Sequence, residues 1–513
     1  MRYFFYAYLL IFNINFLLAQ ETQSQSRIDE IVVTAEFNDI DAYNISSSIS
    51  VITEDDIFKR NANHLEDLLF ITPNVNYSSG ASRGKFYQIR GIGERSEFTE
   101  PVNYSVGVII DGIDFTGIAL GASTFDVKQV EVLRGPQGTL YGANALAGLI
   151  NIVSNDPTED FYSEISGSIS EFGGKDFGVI ISNSSDNNFG YRLGFKNSKS
   201  DGFIKNIFLN KDDTNDINET ISRAKFTKNN DSTKLTLNIF YADIDNGYDA
   251  FSLDNTRTTY SDEPGYDRQR TTAVSTKIEK ILRNSDAIEI LASFADSELG
   301  YAYDEDWSNT GICDKTPCDS KLFGFDWWYS SFDSFNRDNK NHSIDLRYIS
   351  NSKNINWVIG LYNRDQDISL IRKYTYLQND FKSSFDTRSS AIYGQFTNNL
   401  TGKIKFQAGL RYEDRKADYL DNNGPVPEGF FCIEIYPRPD SCLFDNNYSK
   451  SEDFWGGQIS LQNQINKNSM IYALLSRGYK PGGVNIDGQI RQENLNYDSE
   501  TMWNYELGIK TNN

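Results

Sequence analysis

From about residue 158 onward the chain alternates apolar and polar residues with a period of two. Ile404, Phe406, Ala408, Leu410 and Tyr412 share one face of an extended segment, while Lys403, Lys405, Gln407, Arg411 and Glu413 share the other. The period recurs in Leu235-Leu237-Ile239-Tyr241, Ile288-Ile290-Ala292-Phe294, Ile344-Leu346-Tyr348 and Tyr505-Leu507-Ile509. Successive strand side chains point to opposite faces, so each segment is predicted to be a strand with two unlike surroundings. Asn, Asp, Gly and Ser fill the stretches between them, as turns and loops require. One such strand also fits a soluble sandwich; a whole succession of them points to a barrel.

The part from residue 29 to about 157 follows different rules. Thr53-Glu54-Asp55-Asp56 ahead of Ile57 and Phe58 sets a capping hydroxyl and acidic residues in the first turn of a short helix. Asn63-His64-Leu65-Glu66, leading into Leu68 and Leu69, is a near capping box for a second helix that stops before Pro73. Strands are predicted at Ile49 to Ile52, Tyr87 to Arg90, Val106 to Asp111, Val130 to Leu133 and Leu149 to Val153, giving a small α+β unit. The run Val130 to Pro157 winds apolar segments around glycines, a tightly turning piece of sheet. Composition shifts at Asp156-Pro157-Thr158.

The first nineteen residues form a third kind of sequence. Arg2 precedes the mostly apolar stretch Tyr3 to Leu18, and Leu17-Leu18-Ala19 ends in a small residue, the pattern of a secretory signal cut after Ala19. A short membrane anchor is the competing reading, opposed by Asn13 and Asn15. Residues 20 to 28 form a polar leader without periodicity.

Composition supports a membrane barrel over helices. Aromatics make up 14% of the chain, with 30 Tyr and 34 Phe, yet mean hydropathy is −0.50. No run of about 18 apolar residues follows the signal, so no membrane-spanning helix is predicted. Alternation keeps a barrel's average hydropathy low. The net charge of −22, from 71 acids against 49 bases, opposes binding to a nucleic-acid backbone and suits solvated loops. Four cysteines, Cys313, Cys318, Cys432 and Cys442, fall in two close pairs. Three pairings are possible, and in an oxidising compartment two local disulfides are expected.

Several segments resemble the plug domain of TonB-dependent outer-membrane receptors. They are Leu65-Glu66-Asp67-Leu68-Leu69 with Pro73-Asn74-Val75, Ile89-Arg90-Gly91-Ile92-Gly93, Val108-Ile109-Ile110-Asp111-Gly112, Val130-Glu131-Val132-Leu133-Arg134-Gly135-Pro136, Gly138-Thr139-Leu140-Tyr141-Gly142 and Gly148-Leu149-Ile150-Asn151-Ile152-Val153. Before them, Asp29-Glu30-Ile31-Val32-Val33-Thr34-Ala35 resembles the family's TonB box, and Asn504-Tyr505-Glu506-Leu507-Gly508-Ile509-Lys510 resembles a barrel strand. Taken alone, the Ile-Val-Val run also reads as the first strand of the following domain.

The resemblance implies an antiparallel transmembrane β-barrel with an N-terminal α+β plug inside its lumen. The expected organisation is a signal peptide at 1–19, a flexible leader with the box at 20–35, a plug at 36–157 and the barrel at 158–513. It implies a location in a Gram-negative outer membrane, a periplasmic TonB-type partner that pulls on Asp29 to Ala35 by strand addition, contact with outer-membrane lipid, and a monomer. The implied cargo is a scarce nutrient, a ferric siderophore by default, with cobalamin or a carbohydrate as alternatives. A passive porin or an adhesive barrel is the reading from a different class. A barrel of about 22 strands needs more chain than follows residue 157, so a barrel truncated at its C-terminus, holding roughly 14 to 16 strands and leaving one edge unpaired, is expected.

Candidate contacts between plug and barrel are Arg90 and Arg134 with Glu506, since arginine–carboxylate pairs suit a partly dry seam; bonding of the arginines to local carbonyls is the alternative. No catalytic residue and no cofactor is assigned. Gly135-Pro136-Gln137-Gly138 lacks the Gly-Lys-Ser/Thr of a phosphate loop, and His64 and His342 make no paired site. Asp304-Glu305-Asp306 offers calcium-type ligands, with loop solvation as its expected role, so no metal site is assigned. Trp327, Trp328 and Tyr329 fit either a ligand-gripping outer loop or an interfacial girdle; substrate-binding residues are not legible.

Overall fold

The computed structural model describes residues 32–33, 40–79, 82–96, 103–185, 188–253, 255–282, 286–312, 330–352, 355–377, 379–422, 447–485 and 496–511. It consists of a small sheet domain followed by one large antiparallel meander.

In the first domain, strands Ile49–Thr53, Val127–Arg134, Gly148–Ser154, Val106–Ile110 and Ile113–Asp114 form a 5-stranded sheet in that spatial order. Gly148–Ser154 runs parallel to Val106–Ile110 and antiparallel to Val127–Arg134. Both faces of this sheet are covered, which is why its strands read as continuous apolar runs. Ile89, Ile110, Val130, Val132, Ile150 and Ile152 are fully buried in one core, and Ile221, Phe240, Ala242, Ala273 and Ala295 of the surrounding sheet belong to it. The small domain is therefore packed inside the large sheet. A separate hairpin pairs Val75–Ser78 with Phe86–Ile89.

Both helices form where capping places them. Glu54–Arg60 begins at Thr53, whose hydroxyl accepts from Asp56 N–H while the Asp56 carboxylate accepts from Thr53 N–H, and it ends at Asn61 in the left-handed conformation. Glu66–Leu69 is shorter, and its capping differs from the expected box. Asp67 Oδ2 accepts from the N–H groups of Asn63 and His64 at 2.9 and 3.1 Å, so the cap is a carboxylate reaching back.

The large sheet has 14 strands in the order of the chain, from Tyr162–Ile169 to Glu500–Thr511. Most exceed the minimum of about ten residues that crosses a bilayer: Phe332–Asn351 and Ile355–Tyr374 have 20 each. One end carries short turns, as between Asn399 and Ile404 or Asn466 and Ser469, and the other carries long connections, as between Asp304 and Phe332 or Asp421 and Asn447. In outer-membrane barrels the short turns are periplasmic and the long loops extracellular.

The faces are inverted relative to a soluble protein. In Ile404–Asp421, Leu410 and Tyr412 are 59% and 49% exposed, whereas Arg411 and Glu413 are 1% and 2% exposed. Ile359, Leu361, Ile392, Ile459 and Leu461 likewise face outward, and Thr271, Ser275, Ser297 and Asn341 face inward. Apolar outside and polar inside is the arrangement a bilayer demands. No helix among the described residues is long and apolar enough to cross a membrane. No pairing among the described residues joins the first strand to the last.

Candidate functional site: box, seam and outer cavity

Val32–Val33, within the segment expected to be the box, pair antiparallel with Ile40–Asp41. Val33 is fully buried against Ile45, Leu133 and Leu149, and Val32 O accepts from Gln129 Nε2 at 2.7 Å. Gln129 also donates to Glu131 Oε1 at 2.6 Å, and Asn151 Nδ2 donates to Glu131 Oε2 at 3.0 Å. Glu131 is fully buried, and two side-chain amides donate to it in place of water. Asp29, Glu30, Ile31, Thr34 and Ala35 lie outside the described residues. So do Cys313, Cys318, Cys432, Cys442, Trp327, Trp328 and Tyr329.

At the seam, Arg90 Nη2 donates to Glu506 Oε2 at 2.9 Å and Arg90 Nη1 to Asn504 Oδ1 at 3.3 Å. Tyr472 donates to the other Glu506 oxygen at 2.6 Å. Arg134 does not take Glu506: its Nε donates to Pro73 O at 3.0 Å and its Nη2 to Ser50 Oγ at 2.8 Å. Arg134 sits on the inner sheet, pointing at the neighbouring strand rather than the barrel. Burial, followed by the nearby Arg90 charge, pushes the Arg134 pKa down.

The rest of the seam is charged in a way the sequence did not announce. Arg83 makes a bidentate pair with Glu219, at 2.8 and 3.0 Å. Asp126 accepts from Arg192 at 2.6 to 2.9 Å. Asp111 lies 3.5 Å from Arg223 and 3.8 Å from Lys225, Asp114 lies 3.1 Å from Arg364, and Glu94 lies 2.7 Å from Lys480. Plug acids mostly meet barrel bases, and the bases stand on inward faces of alternating strands. Arg223 and Lys225, two residues apart, are one such pair. That spacing was the available signal; which plug acid each would meet required the third dimension.

Close approach explains two of the glycines. A Cβ on Gly142, whose φ is +66°, would stand 2.4 Å from Glu413 Oε2 and 2.9 Å from Arg411 Nε. At Gly138 it would stand 3.0 Å from the carbonyl oxygen of Arg477. The glycine-rich run is thus where the plug presses against the barrel wall.

Above the plug, towards the long loops, a cavity of about 50 Å³ opens between the two domains. Arg337, Arg364, Arg411 and Arg415 line it against two carboxylates, Asp114 and Glu413, with Tyr104 and Tyr362 among its aromatics. An aromatic cluster that includes Tyr248, Tyr301, Phe335, Phe385 and Tyr419 surrounds this mouth. Phe251 packs against that cluster and stacks on Trp307, with ring centres 4.9 Å apart and planes at 9°.

Asp304 and Asp306 are not the solvated loop residues expected from sequence. They are 5% and 3% exposed, because the turn after Asp304 folds back under Ser331, whose N–H donates to Asp306 Oδ1 at 2.9 Å. His64 is buried in the plug and His342 is exposed on the barrel, where it lies 3.3 Å from Asp365.

An interior plug, a meander with apolar residues outside and a charged seam between them define a gated outer-membrane receptor. The family model of the TonB-dependent receptor plug domain matches residues 41–149, and that of the TonB dependent receptor-like β-barrel matches residues 167–513. The chain belongs to the TonB-dependent receptors of the Gram-negative outer membrane. It is 21% identical over 505 residues to the pesticin receptor of Yersinia pestis, covering 96% of this chain and 70% of that one. The solved ferric yersiniabactin uptake receptor FyuA from Yersinia pestis superposes with a TM-score of 0.74 at 19% identity, over 91% of this chain and 70% of that one. The ferripyoverdine receptor of Pseudomonas aeruginosa gives 0.71 at 16% identity, over 93% and 63%. The vitamin B12 transporter BtuB of Vibrio vulnificus is 31% identical, but over 150 residues, covering 28% of this chain and 23% of the transporter.

Proposed function

We propose that this receptor imports a ferric siderophore, using energy delivered by a periplasmic TonB-type protein that adds the segment Asp29 to Ala35 to its own sheet. The observation that carries the reading is the outer cavity, where four arginines face two carboxylates amid tyrosines and phenylalanine. A net positive, aromatic-walled recess suits an anionic chelate with aromatic or carboxylate groups. The names of the yersiniabactin and pyoverdine receptors agree with it, and the shared length with BtuB favours cobalamin less. The plug that fills the lumen speaks against a passive porin. Outward residues such as Leu410 and Ile459 contact lipid, and the barrel works as a monomer.

Tryptophan-fluorescence titration of the refolded full-length receptor with ferric siderophores, cobalamin and oligosaccharides tests the cargo; binding of a non-iron ligand alone rejects it. Deleting residues 29–35 tests the energy coupling, since import should stop while binding persists. Unchanged import would reject energised transport.

A further inference from the structure

The outer cavity does not end on the plug. A second cavity of about 220 Å³ lies against it, between the plug and the wall made by strands Thr233–Tyr248, Gly265–Ile281, Ala287–Asp304, Phe332–Asn351 and Ile355–Tyr374. Lys277 and Glu289 place its lower end beside the short connection from Ile281 to Ala287. Asp114, Thr116, Tyr141, Asn144 and Tyr362 line both cavities. These five side chains are the partition between two stacked chambers.

One ion pair ties the partition to the barrel. Arg364 Nη2 stands 3.1 Å from Asp114 Oδ2, and both side chains are nearly buried. The plug holds Asp114 by itself: Asn144 Nδ2 donates to Oδ2 at 3.1 Å and Thr116 N–H donates to Oδ1 at 2.9 Å. Its backbone is fixed too, since Asp114 pairs with Ile109 and its neighbours Ile113 and Phe115 are buried in the plug core. Arg364 is held less completely. Among the described residues its Nε has no acceptor of good geometry. A turn of the arginine therefore opens the partition while the carboxylate keeps its other donors.

The two chambers differ in charge. Above, Arg364 shares the cavity with Arg337, Arg411 and Arg415, and Arg415 is bonded to an amide oxygen, Asn103 Oδ1 at 3.2 Å. Below, the bases are matched by acids: Lys277 lies 3.0 Å from Glu289, and Arg347 lies 2.8 Å from both Glu289 and Asp345. An anion is held above the partition and not below it.

We propose that the Asp114–Arg364 pair is an anion-operated latch on a path that runs down this flank of the plug, from the outer cavity to the lower one. The proposal rests on the reading of the outer cavity as the seat of an anionic chelate. A ligand shifts a two-state element only through a difference in its affinity for the two states. An anionic group above the partition supplies that difference, because it bonds Arg364 only when the arginine has turned up from Asp114. The pull of the periplasmic partner then widens an opening already begun at this flank.

The test uses the full chain refolded in detergent, with folding verified by heat-modifiable electrophoretic migration. It reads ion current through planar bilayers, so it needs no siderophore and is decided separately from the cargo titration. D114N keeps the size of the side chain and loses the pair, and R364Q removes the other half. Each should raise the time spent open about tenfold over wild type. E94Q, which breaks the pair of Glu94 with Lys480 on strand Ser469–Lys480, should stay at the wild-type level. Because Ser343 lines the lower cavity, a small anionic methanethiosulfonate should cut the added current in D114N/S343C and leave D114N itself unchanged. Citrate, a tricarboxylate, should open wild type from one face of the bilayer only. Variants of the pair as quiet as wild type, an equal rise in E94Q, added current that survives modification at position 343, or a block that does not need S343C would overturn the path. A wild type indifferent to citrate would overturn the latch.

Discussion

Arg90 Nη2 stands 2.9 Å from Glu506 Oε2, so one guanidinium joins a plug turn to the strand Glu500–Thr511. Arg90 is itself in the left-handed conformation, with φ +55°, and Gly91 follows at +80°; the turn aims the side chain outward. Because Arg90 is 35% exposed in its side chain, solvent screens the pair. A double-mutant cycle with R90A and E506A should give a coupling of about 0.5–1 kcal/mol in urea unfolding. The same cycle with R134A should give little. Coupling at Arg134 and none at Arg90 would reverse the assignment.

Asp111 supports a drier contact. Arg223 and Lys225 are nearly buried around it, and among the described residues Arg223 Nε and Nη1 have no hydrogen-bond acceptor of good geometry. Removing the carboxylate leaves buried Arg223 facing a neutral group, while Lys225 keeps Asp156 at 3.3 Å. D111N should therefore destabilise by about 3 kcal/mol, although asparagine suits the φ of +49° found there. D111A should cost about 1 kcal/mol more, since alanine resists that conformation. Urea midpoints at constant slope measure both, and a D111N protein as stable as wild type would show that the pair contributes nothing.

Much of this architecture was written in local pattern. The five plug strands expected from apolar runs all form, four in the covered sheet, which needs no alternation, and the fifth in the hairpin with Val75–Ser78, and the barrel strands form because two solvents impose a period of two. Val75–Ser78 was not anticipated: Val-Asn-Tyr-Ser is short and polar, and it exists as a strand through its pairing with Phe86–Ile89. The site was less legible. Arg90 and Arg134 look alike in sequence, each before a glycine, yet one faces the barrel and the other the inner sheet. Asp304 and Asp306 read as solvated for the same reason: burial by Ser331, far along the chain, leaves no mark on their neighbours.

Gln129 anchors Val32 through one hydrogen bond to a carbonyl. Q129A would remove that bond and one of the amides on buried Glu131. A loss of about 1 kcal/mol shifts a docked–undocked equilibrium about fivefold. A spin label at Val32→Cys should thus become more mobile in the Q129A background, with the barrel still folded. An unchanged spectrum would mean that the apolar seat of Val33 alone holds the segment.

His64 makes the plug sensitive to acid. The ring is 3% exposed; Glu66 N–H approaches Nδ1 at 3.4 Å and Nε2 lies 3.3 Å from Ala119 O. The neutral ring with its proton on Nε2 satisfies both neighbours, whereas the protonated ring turns Nδ1 into a donor facing a donor. Burial first, and then the Arg83 charge, lower its pKa against the opposing pull of Glu66. The unfolded chain, with a histidine near 6.5, therefore binds more protons than the folded one between the two values. His64 destabilises nothing above about pH 6.5 and withdraws stability as pH falls below it, until the pH passes the folded pKa. Replacing it with the uncharged side chain in H64Q should flatten the loss in urea midpoint between about pH 7.5 and about pH 5.5 relative to wild type. Equal slopes in the two proteins would show that the acid sensitivity lies elsewhere.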